Sequence, residues 1–166
     1  MTTIARDCAY RLGCAVLAAA LGLILGAPAQ AASDAAEILP DEALARLKNG
    51  NARFADGQPR NPHRNAARRD ETVRQGQRPM ATVIACSDSR VPVEILLDQG
   101  IGDIFAVRVA GNVCNTDEIG SAEYGVDHLG TPLLVVMGHS LCGAVTAVAT
   151  NAALHGHIAA LVEPIK

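Results

Sequence analysis

The sequence predicts an α/β fold: a mostly parallel β-sheet flanked by helices in a three-layer α-β-α arrangement, with an N-terminal helical arm. Short apolar runs rich in β-branched residues recur at ATVIAC (81–86), DIFAVRVAG (103–111) and PLLVVMGH (132–139), each of strand length. Helix-like segments stand between them at 93–97 and 116–129. Strands alternating with helices lie parallel in one sheet, with the helices covering it. Hydrophobic residues at 49% against 19% charged describe a chain that folds, and 166 residues suit one core. A net charge of −3 with only 2% aromatics supplies neither a basic footprint nor stacking platforms, which argues against a nucleic-acid binder.

Residues 1–31 have the pattern of a signal peptide. Arg6 and Arg11 give the positive region, LGCAVLAAALGLIL (12–25) the apolar region, and Ala29-Gln30-Ala31 the cleavage site. The apolar run is short of the ~20 residues a membrane-spanning helix needs. The expectation is an exported, periplasmic protein with no stable membrane anchor after cleavage. Of the five cysteines, Cys8 and Cys14 leave with that peptide, so Cys86, Cys114 and Cys142 remain. An odd number cannot form a complete disulfide set, so at least one thiol is free or bound to something.

Residues 32–80 read as a helical arm and a polar connection. A helix is expected over 33–55, with Asp41 as its N-terminal cap and Ala43, Leu44, Leu47 and Phe54 on one face. The Arg-rich stretch 57–79 reads as a solvated loop and surface helix, the alternative being a patch for an anionic substrate or a partner subunit. The core is expected over 81–166. Its helix 116–129 sets Glu123, Asp127 and His128 on a polar side and Ile119, Ala122 and Val126 on the other.

The chemistry gathers at the strand ends. In a parallel sheet, ligands collect beyond the carboxyl ends of the strands. Cys86 follows one strand and His139 another, and a helix is expected to start near Ser140, placing His139 and Cys142 on one side of a helical turn. Two thiolates and an imidazole suit Zn²⁺ and leave a fourth position open, as in catalytic sites. A Cys86–Cys142 disulfide is the competing account for an exported chain. Asp88 and Arg90, two apart on an extended segment, form either a surface ion pair or, beside a metal, an acceptor for water held ionised by its guanidinium.

These motifs resemble the β-class carbonic anhydrases. CSDSR (86–90) is similar to that family's C-x-D-x-R, and HSLCGAV (139–145) to its H-x-x-C motif. DQGIGDIFAVRVAGN (98–112), GSAEYGVDHLGTPLLVV (120–136) and the ALARLKNGNARF helix resemble its linking segments. The resemblance implies zinc bound by Cys86, His139 and Cys142, with Asp88 and Arg90 as catalytic dyad and Asp88 as fourth zinc ligand in a closed state. It implies reversible hydration of carbon dioxide to bicarbonate and a proton, by a homo-dimer or tetramer whose helical arm lies on the neighbouring subunit. It also implies that 81–166 lacks the C-terminal part of the family domain. Rival readings are hydrolysis of carbon disulfide or carbonyl sulfide at the same zinc, and a non-catalytic zinc- or bicarbonate-binding fragment. Gly111 and Asn112 line the pocket by resemblance alone. Cys114 is left as a spare thiol, burial being one option, and His128, His155 and His157 read as surface histidines.

Overall fold

In the computed structural model, which describes residues 38–165, Pro40 sets where the first helix begins. Helix α1 spans Pro40–Ala55, with Leu39 in extended backbone before it. A proline fixes the φ of a first helical turn and pushes the preceding residue out of the helical region. The expectation of Asp41 as cap is therefore corrected, and the part of the expected helix over 33–37 lies outside the described residues. No side chain caps α1, and Asp41 and Glu42 lie inside its first turn, where negative charge suits the helix dipole. The expected signal peptide, 1–31, lies outside the described residues.

One stripe of α1 enters the core through Ala43, Leu47 and Gly50. A Cβ on Gly50 would lie 1.8 Å from the Leu97 carbonyl oxygen, so only glycine lets the helix approach so closely. Leu47 is buried in this chain's own core, whereas Leu44 is half-buried and Phe54 exposed. Within the Arg-rich stretch lies a surface helix, α2 (Ala66–Gln75), which buries none of its residues. Asn65 caps it by accepting the Arg68 N–H at 2.9 Å.

The sheet comprises β1 (Ala81–Cys86), β2 (Ile104–Val109) and β3 (Leu134–Met137), all parallel in the order β2-β1-β3. The central strand is buried throughout. Its side chains alternate: Ala81, Val83 and Ala85 pack with α1 and with α3 (Val93–Leu96), and Ile84 packs with Val107 and Ala122 on the opposite face. β2 ends earlier than its apolar run because Ala110–Asn112 forms a 3₁₀ turn with Gly111 at φ 75°. Helix α4 (Thr116–Glu123) opens on a capping box between Asn115 and Glu118 and passes into a π-helical turn, Tyr124–His128. The chain then forms α5 (Gly143–Ala149) and α6 (Ile158–Leu161).

Candidate metal centre

Parallel pairing brings the ends of all three strands to one edge of the sheet. Cys86 is the last residue of β1, in register with Val109 of β2, and Ala85 pairs with Met137 of β3, two residues before His139. Cys86 and Cys142 are buried and their sulfurs lie 4.0 Å apart. That exceeds the ~2.05 Å of a disulfide, and both thiols are free. Two sulfurs each ~2.3 Å from a tetrahedral zinc would be about 3.8 Å apart.

His139 supplies the test of fit. Its Nδ1 lies 3.0 Å from the Ser140 carbonyl oxygen, which only accepts, so Nδ1 carries the proton and Nε2 keeps a lone pair. That Nε2 is buried with no hydrogen-bond partner. His139, Cys86 and Cys142 form a group whose ligand atoms, one from each residue, lie within 4.8 Å of one another. A buried acceptor left without a donor beside two thiols is what a metal would satisfy. Among the described residues this is the one group of three such side chains, and Cys114, His128, His155 and His157 stand outside it.

The turn that joins the two later ligands differs from expectation. Helix α5 begins at Gly143, with Cys142 as its cap in extended backbone. His139 and Cys142 therefore do not share a helical turn. They are brought together by a reversal at Ser140–Leu141, with Leu141 at φ 54°. Likewise, Asp88 and Arg90 do not lie on an extended segment. The chain turns after Asp88, whose Oδ1 accepts the Arg90 backbone N–H at 2.9 Å.

The guanidinium of Arg90 grips the Asp88 carboxylate in two parallel bonds, Nε to Oδ1 at 2.9 Å and Nη2 to Oδ2 at 2.8 Å. The same Nη2 donates to the Leu141 carbonyl at 3.0 Å, which links the two motifs. Arg90's side-chain bonds, then its backbone N–H, hold the Asp88 carboxyl well below the usual carboxylate range against some burial. Asp88 in turn raises the pKa of Arg90. Burial pushes the Cys86 thiol up, but the N–H groups of Asp88 (3.4 Å) and Gly111 (3.3 Å) outweigh it, aided by His139 and Cys142, and bring it to about 7.

Two further residues complete the frame. The Asn112 side-chain amide donates to the Met137 carbonyl at 2.7 Å, tying the end of β2 to the end of β3. Arg108 of β2 reaches the loop after β1, and no motif marks it in the sequence. Its partners are backbone carbonyls, which carry no side-chain signature.

A family described as carbonic anhydrase matches residues 81–166. The Aspergillus fumigatus β-carbonic anhydrase CafA has a similar structure, with a TM-score of 0.55 and 30% identity over 75% of this chain and 57% of that one. This chain belongs to the β-carbonic anhydrase family. One of two tetrameric β-carbonic anhydrases solved from Sordaria macrospora gives a TM-score of 0.54 at 28% identity, over 75% of this chain and 62% of that one. Among curated relatives, a carbonic anhydrase of Mycolicibacterium smegmatis is 53% identical over 108 residues, 65% of this chain and 52% of that protein. Carbonic anhydrase 2 of Mycobacterium tuberculosis is 47% identical with the same coverage. The chain thus spans about half the length of the curated relatives it matches.

Proposed function

We propose that the chain carries out zinc-dependent reversible hydration of carbon dioxide to bicarbonate and a proton. The observation that carries this reading is a His139 whose buried Nε2 has no hydrogen-bond partner, grouped with two buried thiols, with an ionised Asp88 held by Arg90 in the adjoining turn. Cys86, His139 and Cys142 would hold the metal, the lone pair of Nε2 already freed by the Nδ1 bond. Bound there, zinc supplies the Lewis acidity that makes water a nucleophile near neutral pH. Asp88 offers carboxylate oxygens as acceptors for that water's proton donors, and Arg90 prevents the carboxylate from being protonated or turning away. The proton released on hydration leaves with buffer. The carbonic anhydrases among its relatives support the same reaction.

Stopped-flow hydration of carbon dioxide by the zinc-loaded protein tests the reading, beside Cys142→Ala. The parent should turn over and bind about one zinc per chain, and the variant should lose both. Turnover of carbonyl sulfide or carbon disulfide alone would replace the substrate, and stoichiometric zinc without turnover would leave a binding fragment. We further propose an exported homo-oligomer. N-terminal sequencing of the protein from a periplasmic extract should begin at Ala32, and sedimentation should give a dimer or tetramer.

A further inference from the structure

Arg108 is exposed and outside the buried clusters, yet its guanidinium donates across to the loop that follows β1. Nε donates to the Cys86 carbonyl at 3.1 Å and Nη2 to the Asp88 carbonyl at 2.9 Å. One carbonyl belongs to the residue bearing the sulfur, the other to the residue bearing the carboxylate. Between them, the Ser87 N–H donates to the Val109 carbonyl at 3.0 Å, so three successive residues are tied to β2. The planar fork presents two donors in fixed relation, and a lysine ammonium cannot reproduce that geometry. We infer that Arg108 is a positioning residue for this site, whose fork fixes the spacing and direction of the Cys86 sulfur relative to the Asp88 carboxylate.

This inference rests on the proposed zinc site and deepens it. Arg108 touches neither a candidate ligand atom nor the Asp88 carboxylate. It acts through the backbone that carries both, in the way that groups behind metal ligands tune affinity about 10–100-fold. A purely electrostatic role would be served by any cation at this position, and a purely structural one would appear in the melting temperature of the zinc-free protein.

Zinc affinity, measured on the full chain by competition with a chelating dye, is the deciding readout. Arg108→Ala should weaken zinc binding at least tenfold while the zinc-free melting temperature stays within a few degrees of the parent. Arg108→Lys, able to reach one carbonyl at a time, should fall between the two. Parental affinity in Arg108→Ala overturns the inference, as does full recovery in Arg108→Lys, which would reduce the role to charge. If Arg108→Ala does not fold, Arg108→Lys decides alone: a threefold or greater weakening supports the fork, and parental affinity overturns it. A parent that binds zinc but hydrates no carbon dioxide overturns the proposed reaction and leaves this inference to the affinities.

Discussion

A cysteine at the end of a buried strand is ordinarily an inert small hydrophobe. Cys86 differs because two backbone amides, of Asp88 and Gly111, point at its sulfur. Gly111 does so at φ 75°, a left-handed backbone that favours glycine. At Asp88 the carboxylate is the group to remove. Asp88→Asn should retain zinc while lowering kcat/KM for hydration by about 100-fold or more, the scale of a lost positioned acceptor, read by stopped-flow with metal analysis alongside. The reactive types are legible in the sequence, since Cys86, Asp88, Arg90, His139 and Cys142 all stand just beyond apolar runs. The geometry that joins them is less so. A positive φ at Leu141 and a turn after Asp88 are backbone choices that neighbouring residue types do not dictate, so spacing alone suggested a helix and an extended segment.

Between elements, buried carboxylates join the arm to the core: Asp103 meets His63 and Arg68, and Asp98 meets Arg53. Asp98 is fully buried at the end of α3, at φ 46°. Its oxygens accept Arg53 Nε at 2.6 Å and the backbone N–H groups of Arg60 and Asn61 at 2.9 and 2.8 Å. Burial raises its pKa, but the Arg60 N–H, Arg53 and the Asn61 N–H lower it further, to about 2. A carboxyl depressed from ~3.9 in the unfolded chain stabilises the fold above that value, and the contribution is lost as pH falls through about 2. Thermal melts from pH 5 down to 2 should show this loss, and Asp98→Ala should flatten it while costing about 3 kcal/mol at pH 7, because Arg53 is left without its buried partner. At Gly50, where the missing Cβ would meet the Leu97 carbonyl, Gly50→Ala should cost about 1–3 kcal/mol by overpacking, measured by urea unfolding. The strands and α4 are legible from β-branched runs and helical spacing. The start of α1 is less legible, because Asp41 resembles a cap and the proline before it sets the boundary instead.

At the scale of the molecule, both outer strands of the sheet have no strand on their outer edges among the described residues. β3 exposes Leu134 at 49% and Val136 at 68%, beside the half-exposed Ile119 and Val126. Ile84, Ile119, Ala122, Val126 and Leu134 line a cavity of about 330 Å³ on this face, with Glu123 and Asp127. Exposed apolar surface adjoining an open edge invites association. Val136→Lys should shift the sedimentation profile toward smaller species with little change in zinc content.

The register of the sheet also decides where the chain tolerates a change of length. One residue inserted in β1 would turn Cys86 to the opposite face, and two would restore the face but move the sulfur by about 6.6 Å, out of reach of His139 and Cys142. Parity forbids the first change and distance the second. Insertions and deletions compatible with this site therefore fall outside β1, and the six residues Ala81–Cys86 form a segment whose length is as constrained as its composition.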